Sequence, residues 1–125
     1  MKLLLDSHVL LWVLDTPERL PPLVHDLVSD ITITVLVSIA SLWELRIKAL
    51  NGKLEAPDDL SGLALASGFS LLPIDVRHIG QLDQLPNHHR DPFDRMLIAQ
   101  AQADGLTLVS ADRTIRLYDV PVLWS

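Results

Sequence analysis

Residues 91–109 read DPFDRMLIAQAQADGLTLV, and this stretch predicts one helix followed directly by one buried strand. Proline is favoured in the first turn of a helix, so Asp91-Pro92 marks a helix start, and the pattern continues to Ala103. Gly105 ends the helix, because glycine is the most common residue just past a helix end. Leu106–Val109 is a short apolar run of the kind found in buried strands. The stretch is therefore one unit of an α/β fold.

The same alternation extends through the rest of the chain. The other predicted strands are Lys2–Leu5, Ile31–Val37, Phe69–Ile74 and a candidate fifth, Val120–Leu123. The other predicted helices are Ser7–Leu14, one opened by Pro21-Pro22 that runs to Val28, one capped by Ser38 that runs to Leu50, Pro57–Ala66 and Asp75–Leu85. Continuous apolar strands that alternate with helices are typical of a parallel sheet covered on both faces. We predict a single three-layer α/β/α domain over residues 1–125.

Composition limits the function classes. The chain has 125 residues, 49% of them hydrophobic and none of them cysteine, so disulfide scaffolds and thiolate metal sites are excluded. The apolar run before Asp6 is too short for a signal peptide, and no stretch is long enough for a membrane span. We therefore expect a cytoplasmic protein without a membrane partner. A net charge of −6 argues against a protein that coats nucleic acid, but it is compatible with an enzyme whose carboxylates bind cations.

Two acids follow predicted strands at the ends where open parallel sheets bind ligands. Asp6 comes directly after the first strand, and Asp112 lies three residues past Val109. If these strands are neighbours, both carboxylates face one crevice. Each could equally be an ordinary helix cap.

Asp94 lies in the first turn of the helix that starts at Asp91-Pro92. It shares a helical face with the apolar residues Leu97, Ile98 and Ala101. A carboxylate on that face points toward the sheet, where it loses hydration unless a cation or a strong donor meets it. The alternative is that Asp94 only complements the helix N-terminus, and Asp91 is read as the N-cap.

Glu44 lies in the middle of a predicted helix, one turn before Lys48 and one turn after the small residue Ala40. An ordinary i,i+4 salt bridge with Lys48 is one interpretation. The other is that Ala40 lets the Glu44 carboxylate approach the sheet and join Asp6, Asp94 and Asp112. Four carboxylates in one crevice repel one another, and hard cations such as Mg²⁺ or Mn²⁺ relieve that repulsion.

The residues at these positions resemble the PIN domain across essentially the whole chain, and specifically the toxins of VapBC toxin–antitoxin pairs. Four segments carry the resemblance: Leu3–His8, Val37–Leu45, His89–Ala101 and Leu108–Asp112. The third is the most specific of them.

The resemblance implies a five-stranded parallel sheet and a catalytic, metal-binding quartet at Asp6, Glu44, Asp94 and Asp112. Ser7 and Ser110 match positions that support the site in the family. The resemblance also implies Mg²⁺- or Mn²⁺-dependent hydrolysis of RNA phosphodiester bonds, with Asp6 and Asp94 as inner ligands of one or two ions. Implied partners are a second copy of the chain and a cognate antitoxin that blocks the crevice.

Basic residues near these segments are the candidates for contacts with RNA phosphates: Arg46, Lys48, Arg90, Arg95 and Arg113. His89, beside Arg90, is expected to shape its loop or to contact RNA. No cysteine and no H-x-x-x-H pair accompanies it, so a zinc site is not expected.

Two alternatives of other classes remain. A PIN-like module could bind nucleic acid without cutting it. A phospho-acceptor receiver domain has a similar length and architecture, but that family uses an early acidic pair and a late lysine. Here Asp6 stands alone after the first strand, and no lysine follows Lys53.

Overall fold

A five-stranded sheet forms the centre of the molecule, and the computed structural model describes all residues, 1–125. Its strands are Lys2–Leu5 (β1), Thr34–Ser38 (β2), Ser70–Leu72 (β3), Thr107–Val109 (β4) and Val122–Leu123 (β5). They are arranged in the order β3-β2-β1-β4-β5, and every neighbouring pair is parallel. The predicted parallel sheet, including its fifth strand, is confirmed.

Helices cover both faces of this sheet. They are Ser7–Asp15 (α1), Pro22–Ser29 (α2), Ile39–Leu50 (α3), Leu60–Ala66 (α4), Val76–Gln81 (α5) and Pro92–Asp104 (α6), with short 3-10 turns at Pro17–Arg19, Leu82–Gln84 and Arg113–Leu117. Successive strand residues point to opposite faces, so Leu3 and Leu5 pack in one apolar layer and Leu4 in the other. The three-layer α/β/α prediction is confirmed.

Several predicted boundaries differ from those in the structure, and two of the differences have clear local reasons. The second strand begins at Thr34 rather than Ile31, because the Asp30 carboxylate accepts hydrogen bonds from the backbone N–H and the hydroxyl of Thr32 and makes a turn there. The helix predicted from Pro57 begins at Leu60, because Asp59 caps it through the backbone N–H of Gly62.

The order of the strands determines where a site can form. β1 lies between β2 and β4, so the chain crosses to opposite sides of β1 and leaves a crevice at the carboxyl ends of β1 and β4. The backbone N–H of Asp6 donates to the carbonyl of Val109 at 3.1 Å, which holds the two strand ends together. The neighbour relation assumed from the sequence is confirmed.

No helix combines the length and the apolar character that a membrane crossing requires.

Candidate active site

Asp6 lies at the floor of this crevice and is only 7% exposed. Its carboxylate accepts a hydrogen bond from the backbone N–H of Val9 at 2.9 Å, so it does cap α1. Burial is the largest influence and raises the pKa of Asp6, while hydrogen bonds from Ser110 and Val9 oppose that rise and Glu44 adds a small repulsion. The cap and the site are therefore not alternatives, since one carboxylate serves the helix and faces the other acids.

Glu44 reaches the same place from α3 and is 4% exposed. The hydroxyl of Ser7 donates to its Oε1, and the ammonium of Lys48 lies 2.7 Å from its Oε2. Ala40, one turn earlier, is 2% exposed and leaves room for the carboxylate near the sheet. The i,i+4 salt bridge exists, and it exists inside the crevice rather than on the surface.

Asp94 projects from the first turn of α6, whose N-cap is Asp91. Burial is the main cause that raises the pKa of Asp94 to about 7. The remaining causes are the negative charges of four other acids, namely Asp91, Glu44, Asp6 and Asp112. The other three members of the predicted quartet thus all act on Asp94, so these acids, distant in sequence, share one crevice.

Asp112 lies at the rim and is exposed. It caps the 3-10 turn Arg113–Leu117 through the backbone N–H of Thr114 at 2.9 Å. Its own backbone N–H donates to the Ser110 hydroxyl at 3.1 Å, and Ser110 is fully buried. Ser110 therefore supports the loop that carries Asp112, and it also lowers the pKa of Asp6.

His89 is part of the cluster in a way that the sequence did not reveal. Ligand atoms of His89, Asp94 and Asp112 all lie within 4.8 Å of one another. The sequence predicts that His89 shapes its loop or contacts RNA, and it does not place His89 with the acids. The one signal available was its place in the most family-specific segment, two residues before the N-cap Asp91.

The predicted RNA-contact residues divide into two groups. Three of them are engaged within the chain: Lys48 with Glu44, Arg46 with the carbonyl of Asp58, and Arg95 with the carbonyl of Pro86 and the hydroxyl of Tyr118. Arg90 and Arg113 are exposed, one in the loop before α6 and one directly after Asp112. These last two are the cations best placed for a ligand that approaches from solvent.

The donor set fits a hard divalent cation. The quartet presents carboxylate oxygens, which Mg²⁺ and Mn²⁺ prefer. Lys48 is the lysine that contacts these acids, and its ammonium is held by Glu44. A cation near Asp94 would offset both the burial and the charge repulsion that keep the pKa of this carboxyl high. The residues present therefore could hold such an ion.

The raised pKa of Asp94 leads to a testable pH dependence. Its pKa is about 7 in the folded chain and 3.8 in the reference state, so between these values the folded state binds more protons than the unfolded state. The free energy of unfolding of the metal-free protein should therefore fall as the pH rises through this window. Asp94→Asn removes the titration and should flatten the dependence.

Melting temperatures measured in EDTA between about pH 5 and pH 8 check this expectation. Asp83→Asn, which changes an exposed acid outside the crevice, is the matched control and should retain the pH dependence of the unmodified chain. Equal slopes for the unmodified chain and the Asp94 variant would contradict the expectation.

Comparisons with known proteins agree with this fold. The family model for the PIN domain matches residues 3–121. No curated protein sequence matches the chain. Among solved structures, VapBC2 from Rickettsia felis, bound to a DNA fragment from its promoter, is similar with a TM-score of 0.74 and 14% identity, covering 100% of both chains.

Two further structures are similar over nearly their whole length. FitAcB from Neisseria gonorrhoeae has a TM-score of 0.63 at 22% identity and covers 97% of this chain and 96% of its own. VapBC-5 from Mycobacterium tuberculosis, a member of the VapBC family of toxin–antitoxin systems, has a TM-score of 0.61 at 22% identity and covers 99% and 98%. The likeness at these identities concerns the fold, and the family match separates the chain from receiver domains. The chain belongs to the PIN domain family.

Proposed function

We propose that this chain is a Mg²⁺- or Mn²⁺-dependent endoribonuclease that acts as the toxin of a VapBC-type toxin–antitoxin pair. The observation that carries the proposal is a group of acids at the crevice where the strand order reverses. Asp6 and Glu44 are buried there, and ligand atoms of Asp94 and Asp112 lie within 4.8 Å of one another. PIN domains are typically nucleases, and the resemblance assigns the family's catalytic positions to these four carboxylates. The alternative is a PIN-like module that binds nucleic acid without cutting it.

In this mechanism the side chains of the crevice bind the divalent ion and hold one another in position. Asp6 and Asp94 are the inner ligands, and both are held by backbone geometry at a strand end and in a first helical turn. Glu44 is fixed by Ser7 and Lys48, and Asp112 completes the rim. A divalent ion held by these residues would lower the pKa of water at the site and offset charge on the phosphate. Because Ser7 and Lys48 hold both oxygens of Glu44, this carboxylate is fixed in orientation before any ligand arrives.

The substrate follows from the same site. Without cations, the acidic crevice would repel a negatively charged phosphodiester. Cations bound by the carboxylates would reverse the local charge and let the phosphodiester bind. Arg90 and Arg113 are exposed beside the crevice and can contact flanking phosphates. Lys48 remains a candidate contact that would first have to leave Glu44.

A protein partner is supported by the surface of α3. Ile39, Trp43 and Leu50 lie within one narrow stripe of this helix and are 39%, 60% and 75% exposed. Trp43, which the same helix places beside Glu44, packs edge-on against Phe93 at 5.3 Å between ring centroids. Exposed apolar stripes of this kind are typical of protein interfaces. The similar structures named above include toxin–antitoxin complexes, so we propose an antitoxin partner and a homodimer.

Metal-dependent cleavage tests the function. The purified chain, freed of any bound partner, is incubated with total RNA in Mn²⁺ or in EDTA, and the products are separated by size. We expect fragments in Mn²⁺ only. Intact RNA across several RNA classes, together with retained RNA binding in a gel-shift assay, would instead favour the binding module.

A further inference from the structure

The imidazole of His89 has one nitrogen with a partner and one without. Its side chain is 17% exposed and lies in the loop just before α6. Nδ1 lies 3.0 Å from the hydroxyl of Tyr118. Nε2 is buried without a hydrogen-bond partner and lies 3.7 Å from Oδ2 of Asp94. Buried polar atoms are rarely left unpaired, so this nitrogen calls for an explanation.

The partners of Tyr118 determine which nitrogen of His89 carries the proton. The hydroxyl oxygen of Tyr118 already accepts from the backbone N–H of His89 and from Nη1 of Arg95, each at 3.2 Å. A phenol group has one O–H donor, and its oxygen accepts at most two hydrogen bonds. The O–H is therefore left to donate to Nδ1 of His89. Nδ1 is an acceptor, and the ring proton lies on Nε2, which faces Asp94.

We propose that His89 is a positioning residue for the metal ligand Asp94, to which it donates a hydrogen bond from Nε2 when a divalent ion is bound. The inference rests on the proposed function, in which Asp94 is a ligand. Closing the gap to Oδ2 needs a movement of less than about 1 Å, since charge-assisted N–H···O bonds are about 2.7–2.9 Å long. The donor would fix one carboxylate oxygen and leave the other for the ion.

Direct ligation of the ion by His89 is the competing arrangement. It requires a lone pair on Nε2 and hence a proton on Nδ1. That proton would need an acceptor, and both acceptor sites of the Tyr118 hydroxyl are already used. Hard cations also prefer the carboxylate oxygens that surround them. The hydrogen-bond count therefore favours the donor role.

Arg95 and Tyr118 hold this arrangement in place. Arg95 follows Asp94 in sequence but turns away from the crevice to the carbonyl of Pro86 at 2.9 Å and to the Tyr118 hydroxyl. Tyr118 is 4% exposed. Both side chains connect the His89 loop to α6 and to the segment after the 3-10 turn. The sequence predicts Arg95 as an RNA contact, and in the structure its hydrogen bonds support the His89 loop.

Mn²⁺ affinity measured by calorimetry on the full chain tests the proposal independently of cleavage. His89→Ala should weaken Mn²⁺ binding about 10- to 100-fold, as losses of such outer partners do. His89→Gln, which keeps an N–H donor of similar reach, should restore most of the affinity. His88→Ala is the matched control, because His88 packs edge-on against the same Tyr118 at 4.9 Å but is exposed, and it should leave the affinity unchanged.

Two further measurements complete the test. Electron spin-echo spectroscopy of bound Mn²⁺ should show no directly coordinated imidazole nitrogen, and Tyr118→Phe should weaken Mn²⁺ binding because it frees the His89 ring. Three outcomes would each overturn the positioning role. The first is a nitrogen coupling to Mn²⁺ that His89→Ala removes. The second is an unchanged Mn²⁺ affinity in either His89→Ala or Tyr118→Phe, and the third is a loss of affinity that His89→Gln does not rescue.

The Asp94→Asn variant separates this failure from that of the proposed function. If Asp94→Asn weakens Mn²⁺ binding and His89→Ala does not, only the role of His89 is wrong. If neither does, the metal site itself is wrong, and the positioning role falls with it.

Discussion

Asp94→Asn is expected to lower metal-dependent RNA cleavage by more than about 100-fold, because even the loss of an outer partner of a metal ligand costs about 10- to 100-fold. Asparagine keeps the shape of the side chain but removes the charge that the ion requires. The fold should be retained, since Leu97 and Ile98 of α6 remain buried and Asp91 still caps the helix. Without a cation, the variant should be at least as stable as the unmodified chain, because a partly buried carboxylate with a raised pKa is gone.

Cleavage rates at saturating Mn²⁺ and growth inhibition on expression both measure the effect of Asp94→Asn. Asp91→Asn is the matched control, because it removes one negative charge from the same helix turn and asparagine caps helices about as well as aspartate. It should retain most of the activity. An Asp94 variant that cleaves RNA and inhibits growth like the unmodified chain, or an equal loss in both variants, would remove the specific assignment of Asp94.

Asp6 allows its structural and catalytic roles to be measured separately. Asp6→Asn and Asp6→Ala should both lose cleavage as strongly as Asp94→Asn, because both remove a carboxylate from the crevice. Their stabilities should differ. Asparagine can still accept the hydrogen bond from Val9, whereas alanine cannot and should lower the free energy of unfolding by about 0.5–2 kcal/mol.

Urea denaturation and the RNA assay, performed on both Asp6 variants, check this separation. Ser61→Ala is a useful reference for a change at a peripheral helix, since the Ser61 hydroxyl contacts only the exposed cap of α4. Full cleavage by Asp6→Asn would mean that Asp6 is a helix cap and nothing more. Equal stability of the two Asp6 variants would mean that the cap hydrogen bond to Val9 contributes little.

Local sequence signals determined most of the fold and part of the site. The apolar runs, the proline at the start of α6 and the glycine after it act over a few residues, so they predicted the element order and the parallel sheet. Asp6 and Asp94 were identified because strand ends and helix faces can be read along the chain. Boundaries failed where a side chain such as Asp30 made a turn inside an apolar run.

The relations between side chains depended on the tertiary structure. The sequence offered a salt bridge or an active site for Glu44, and the structure shows that Lys48 and Ser7 hold this carboxylate within the crevice. The structure likewise shows that Arg95 contacts the Tyr118 hydroxyl and that Nε2 of His89 faces Asp94. The sequence by itself determined which elements form, because helix and strand periodicity is local. Only the tertiary structure decided which donors meet which acceptors, because hydrogen bonds and charge repulsion depend on distances between residues far apart in the chain.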